Sequence, residues 1–195
     1  MAAHEIRCPT DEAAVRALRA GDTVTLQGHV VGIRDATQIR IFDQGQPPPF
    51  PLRGAALLHT APNVRRRDDG GYDPLCVGTT TSARMSRFTE GLIRDHGAGL
   101  IIGKGGLEPE ASEPLARHGG AYLAIVGGAA ALETTQIEAI ERVEWEDLMP
   151  ECLWLFRVRD FGPLIVAMDA HGGSLYRDVQ AEARRRLDES LYARL

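Results

Sequence analysis

Long apolar runs are missing from this chain, and none approaches the roughly 20 residues that a helix needs to cross a bilayer. No membrane partner is therefore expected. The first fourteen residues, MAAHEIRCPTDEAA, lack the apolar stretch of a secretory signal, so export is not expected either. Cysteine is scarce. Cys8, Cys76 and Cys152 are too scattered and too few for a disulfide framework or a zinc ribbon, and a reduced cytoplasmic setting is the simplest expectation. The same spacing argues against an iron–sulfur cluster on these thiols and leaves them buried or idle. None of the six histidines sits in an HExxH motif or a close pair, so none is expected to ligate a metal; for His171 structural hydrogen bonding outweighs any other role. A surplus of positive charge is absent too. With 22 Lys and Arg against 27 Asp and Glu the formal charge is −5, which gives no reason to hold nucleic acid. In that field a local cluster of cations carries more information.

What is present reads as an α/β protein. Hydrophobic residues make up 44% of 195, enough for one domain over residues 1–195. Helices are expected at Thr10–Ala20 (Thr10 capping, Gly21 ending it), Arg34–Phe42, Ser82–His96, Ala111–Arg117 and Ser174–Leu191. Strands, or a tight hairpin in the first case, are expected at Asp22–Ile33, Gly54–His59, Gly99–Ile102 and Tyr122–Val126. Leu153–Val158 and Leu164–Met168 read as paired apolar runs joined by a turn at Asp160–Pro163. Gln46–Pro51 is a loop because consecutive prolines lack N–H donors. Gly127–Ala131 reads as a small-residue turn, and Asn63–Tyr72, with Arg65, Arg66 and Arg67 balanced by Asp68 and Asp69, as a solvated loop. Interleaved strands and helices predict helices packed on a parallel or mixed sheet.

Three glycine-bordered turns place cations where backbone can approach a ligand. They are Gly32-Ile33-Arg34-Asp35, Gly78-Thr79-Thr80-Thr81-Ser82-Ala83-Arg84-Met85, and Gly103-Lys104-Gly105-Gly106 after the strand at Leu100–Ile102. Hydroxyls and free N–H groups at a helix start favour an anion, Arg offers a fork to a carboxylate, and Lys adds a point charge. Loops at strand C-termini are where open α/β sheets keep ligands. Together they suggest a pocket for a small dianion, although capping is an equally good use for Thr79–Ser82. The Gly103–Gly106 turn is not a KH loop, because LEPEASEP follows in an acidic chain, nor a P-loop, because no Ser or Thr follows Lys104. No GxGxxG fingerprint exists for a dinucleotide.

Arg34-Asp35-Ala36, GTTTSARM, IIGKGG, Gly127-Gly128-Ala129-Ala130, Val143-Glu144-Trp145 and Asp169-Ala170-His171-Gly172-Gly173-Ser174-Leu175-Tyr176 follow one another in a familiar order. In this the chain resembles the β subunit, or C-terminal domain, of class I fumarases and L-tartrate dehydratases. The resemblance implies a swivelling β/β/α domain and an iron–sulfur hydro-lyase acting on a C4-type dicarboxylate. Fumarate/malate is the first expectation, followed by tartrate or mesaconate/citramalate. It implies that a 4Fe-4S cluster sits on a partner α subunit, whose open iron acts as Lewis acid, and that the two chains form a hetero-oligomer inactive without both. It also implies roles: Arg34, Arg84 and Lys104 as substrate-carboxylate ligands with Thr81 beside them, Thr80 in proton transfer with an acidic group of the α subunit, and Lys104 in catalysis as well.

Two positions depart from the family pattern. Gln38 stands where R-D-A-A-H-K-R has histidine, and Thr79 where G-P-T-T has proline. The cations survive, so anion binding is expected, while substrate identity is left open. A diverged paralog that binds a dicarboxylate, or docks on a partner without turnover, is the alternative reading.

Overall fold

The computed structural model describes residues 1–125 and 130–192. Its strands are Ala3–Cys8 (β1), Thr23–Ile33 (β2), Ala56–His59 (β3), Asn63–Arg66 (β4), Tyr72–Cys76 (β5), Leu100–Gly103 (β6), Ala121–Ala124 (β7), Ile137–Glu144 (β8) and Leu153–Met168 (β9). Its α-helices are Glu12–Ala17 (α1), Asp35–Phe42 (α2), Thr89–Arg94 (α3), Ser112–His118 (α4), Ala130–Thr135 (α5) and Leu175–Tyr192 (α6). The main sheet runs β1-β2-β3-β6-β7-β9-β8, with a further pairing of β2 to β9. β1, β2, β3, β6 and β7 are parallel, and β9 runs antiparallel to β2, β7 and β8. The class is α/β on a mixed sheet, as expected. Because β9 pairs with both β2 and β7, strands β2-β3-β6-β7-β9 close into a ring.

Alternation along the ring strands sorts the core into two layers. Ala56 and Leu58, Leu100 and Ile102, Leu123, Trp154, Phe156 and Val166 share one cluster. Their neighbours Leu57, Ile101, Tyr122 and Leu153 belong to the other, which Ile41, Met85, Phe88, Leu92 and Leu115 cover from the helical segments. Trp154 is fully buried and stacks on Phe156 with ring centroids 6.3 Å apart. Truncating such a residue costs about 3–5 kcal/mol.

Several expectations need correction. Asp11, not Thr10, caps the first helix, accepting from the Ala14 N–H at 2.8 Å, and that helix stops at Ala17. The residues 22–33 form one strand rather than a hairpin. The runs at 153–158 and 164–168 are one sixteen-residue strand: Asp160 (φ 52°) and Gly162 (φ 144°) bend β9 without reversing it, and β2 absorbs the bend by register shifts near Leu26. Residues 63–72 are no loop; they hold β4 and the start of β5, an antiparallel hairpin whose Arg65 pairs with Asp73 at 2.8 Å. The helix expected from Ser82 begins as a 3-10 turn over Ala83–Phe88. Met85 and Phe88, three apart, are its buried residues, as three residues per turn requires. β1 and β8 were not anticipated, and residues 127–129 of the small-residue turn lie outside the described residues. No described helix is long and apolar enough to cross a membrane.

Candidate functional site

The three glycine-bordered turns meet at one edge of the ring, the carboxyl ends of β2, β3 and β6. Arg34 follows β2 and occupies the N-cap position of α2 in extended backbone (φ −148°). A cation at the positive end of a helix is unfavourable, and two carboxylates offset it. Asp35 lies in the first turn with its Oδ2 3.4 Å from Arg34 Nε. Glu151, from the loop before β9, places Oε1 3.3 Å from Arg34 Nε and accepts from the Ala36 N–H through Oε2 at 2.7 Å. The Thr37 hydroxyl donates to the Glu151 carbonyl.

Thr79, Thr80 and Thr81 run extended between the ends of β3 and β6. Thr79 bridges Thr60, the Thr80 N–H donates to the His59 carbonyl at 2.8 Å, and Thr81 bridges Lys104. The Ser82 N–H then donates to the Lys104 carbonyl at 3.0 Å. This close approach explains Gly103, since a Cβ there would meet Ser82 Oγ at 1.9 Å. Gly106, with φ +81°, likewise leaves room for the Tyr176 ring, 2.8 Å from where its Cβ would stand. Arg84, on the turn that follows, donates from Nε and Nη2 to Asp35 at 3.3 and 3.0 Å, and from Nη2 to Thr80 Oγ1 at 3.5 Å.

Of the expected site residues, Arg34, Arg84 and Thr80 are therefore brought together around Asp35, with Lys104 and Thr81 joined to Thr80 through the main chain. Arg34 is partly buried and Arg84 half exposed. Among the described residues no carboxylate lies within ion-pair reach of Lys104, in contrast to both arginines. Arg34 is engaged by carboxylates through Nε, and Arg84 by Asp35 through Nε and Nη2. Burial works to raise the Asp35 pKa, but the hydrogen bonds and charges of Arg84 and Arg34 win and hold it below the ordinary carboxylate range.

Sequence reasoning passed over three contributors. Asp35 stood inside the quoted Arg34-Asp35-Ala36 motif, so adjacency was its signal. Glu151 had none, being brought in only by the fold. His59, buried at the end of β3, gave no motif. Gln38 is fully buried with neither amide atom hydrogen-bonded among the described residues, and Thr79 uses its hydroxyl on the His59 carbonyl at 3.1 Å. His171 is occupied elsewhere, its Nε2 2.8 Å from the Arg16 carbonyl.

An iron–sulfur cluster does not fit this chain's own donors. Cys8 pairs along β1 against Gly28, Cys76 ends β5, and Cys152 is buried beside β9. Burial pushes the thiols of Cys8 and Cys152 up to about 12 and about 11, away from the thiolate that a cluster requires. Among the described residues no group of three His, Cys, Asp or Glu is placed to hold a metal ion.

The fold and site together define an α/β domain with an open cationic, hydroxyl-bearing face at the carboxyl ends of parallel strands. Residues 3–179 match the family model described as the fumarase C-terminus, and the chain belongs to that family. It is 40% identical over 159 residues, 81% of this chain and 79% of the relative, to the L(+)-tartrate dehydratase subunit beta of Escherichia coli K12. It is 35% identical over 180 residues to the putative L(+)-tartrate dehydratase subunit beta of Methanocaldococcus jannaschii, covering 90% and 92% of the two chains. A putative class I fumarate hydratase of Geobacillus stearothermophilus is 32% identical over 185 residues, 94% of this chain but 35% of that protein.

Proposed function

We propose that this chain is the β subunit of a two-chain iron–sulfur hydro-lyase that adds water to, or removes it from, a C4-type dicarboxylate. The observation that carries the reading is the Arg84 guanidinium, which reaches both Asp35 and Thr80 Oγ1. This contact supports assigning carboxylate binding to the guanidinium and proton transfer to the hydroxyl beside it. Arg34, Arg84 and Lys104 hold the two substrate carboxylates, and the arginines do so through N–H groups that Asp35 does not engage. Thr81, exposed beside them, borders the substrate.

A threonine hydroxyl is a weak base alone. A guanidinium within 3.5 Å favours its deprotonated form, and an acidic group of the partner takes the proton onward. The cationic face also stabilises the enediolate-like charge that builds up when the proton beside a carboxylate leaves. The cluster belongs to the α subunit, so the steps assigned to this chain are carboxylate binding and proton movement at Thr80.

Among substrates, L-tartrate takes first place in the test, since the two tartrate-named relatives are 40% and 35% identical and the fumarate-named one 32%. Fumarate/malate and mesaconate/citramalate follow. The test is anaerobic co-expression with a candidate α subunit and assay of water loss or addition across these diacids. Turnover of one of them only when both chains are present is the expected result. No turnover of any hydroxy-diacid leaves the non-catalytic binding reading in its place.

A further inference from the structure

His59 ends β3, is fully buried, and takes no part in the steps above. Yet it touches the Thr79–Ser82 segment at three points. Its carbonyl accepts from the Thr80 N–H at 2.8 Å and from the Thr79 hydroxyl at 3.1 Å. Its Nδ1 lies 2.9 Å from Ser82 Oγ, and the Tyr122 hydroxyl donates to that same oxygen at 3.1 Å. Ser82 in turn leads directly into the turn that carries Arg84. One side chain therefore fixes the segment beyond Thr80 while its own main chain fixes Thr80 itself.

We propose that His59 is a positioning residue, setting Thr80 and Arg84 in register through its Nδ1 contact with Ser82, with Tyr122 closing the chain from behind. A purely space-filling imidazole would not need the contact, and a buried hydroxyl bridged on two sides admits one rotamer where an unbridged one admits three. Burial keeps the ring neutral at ordinary pH, pushed down to about 4, with Arg84 acting in the same direction and Asp35 against it. The Nε2 atom has no hydrogen-bond partner among the described residues, so the contact that matters is the one at Nδ1.

That asymmetry gives the test, which rests on the hydro-lyase reading only in its kinetic arm. An Asn amide falls where Nδ1 does and can donate or accept there, whereas a Gln amide falls near Nε2 and Phe offers neither. In the two-chain complex, His59→Gln and His59→Phe should lower kcat about 10²-fold, the scale of a misplaced catalytic group. His59→Asn should restore most of it, in an order unrelated to thermal stability. The second arm needs no turnover: in ¹H–¹⁵N spectra of the full chain, with and without malonate, the Thr80 amide and Arg84 Nε signals should shift in the Gln and Phe variants and stay near their parent positions in the Asn variant. Tyr122→Phe keeps the core volume and should shift the same signals less. Signals unmoved in Gln and Phe, or moved as far in Asn, overturn the proposal. Should Gln and Phe fail to fold, unmoved signals in Tyr122→Phe overturn it. A complex inactive on every diacid defeats the hydro-lyase reading alone, and the spectra still decide His59.

Discussion

Arg84 grips Asp35 with two of its nitrogens, at 3.3 and 3.0 Å, while Arg34 meets the same carboxylate at 3.4 Å. A single side chain thus orients two guanidiniums that reach it from different loops. Under the proposed function a diacid would find the cations already aligned, with the entropy of ordering two long side chains largely removed beforehand.

Asp35→Asn tests this directly. The neutral amide keeps the volume but loses the charge, so KM for the diacid should rise about 10-fold, the share of one charge-assisted contact. Stability should change by less than about 1 kcal/mol, because Arg84 is half exposed and such pairs are weak. Steady-state kinetics beside a thermal melt separate the two effects. An unchanged KM would mean that Asp35 is not the organiser.

Thr80→Ala should lower kcat roughly 10²–10⁴-fold in a complex that still binds substrate, the usual worth of a positioned acid or base. Lys104→Met should instead raise KM first, because it removes a charge that no described carboxylate neutralises. If Thr80 only shaped its loop, the loss would be about 1 kcal/mol of stability with kcat nearly intact.

The fold should be sensitive to mild acid through His59. Its imidazole is held down to about 4 against an ordinary 6.5 by burial. As pH falls through that interval the unfolded chain binds the proton and the folded one does not. This contribution to stability is therefore complete above about pH 6.5 and is lost as pH falls through about 4. Urea titrations at pH 7 and 4.5 should show a larger loss for the parent than for His59→Asn. Equal losses would refute it.

Gln38 carries a buried amide whose oxygen and nitrogen both lack partners among the described residues. Leaving such groups unmet costs about 1–3 kcal/mol. Gln38→Met keeps the length and removes the amide, and should stabilise the chain by about 1 kcal/mol, a gain of about 2–4 °C in Tm. A lower Tm would show that the amide is satisfied in solution.

The sequence was most readable where local chemistry and fold agree. Leu100–Gly103, an apolar run ended by glycine, and Asp35–Phe42, opened by an acid, both appear nearly as drawn. It was least readable where distant segments decide. Ile137–Glu144 (IEAIERVE) mixes charges with apolar residues and becomes a strand because β9 offers it an edge. Arg65 reads in the sequence as solvated loop charge, and in the structure it pairs across the hairpin with Asp73. At the site, the cations and hydroxyls announced themselves by glycines, but Glu151 and His59 did not: a residue that acts by supporting another leaves its signature in three dimensions only.

Closure of the ring has a consequence for how the protein is made. Val24 of β2 pairs with Leu164 of β9, so β2 waits for a strand that leaves the ribosome long after it. Until then β2 and β7 each present an unpaired edge, the kind that recruits other chains. Messages cut short before residue 153 should therefore yield sticky fragments rather than smaller soluble ones, and the cell has reason to finish this chain quickly or to shelter it while it grows.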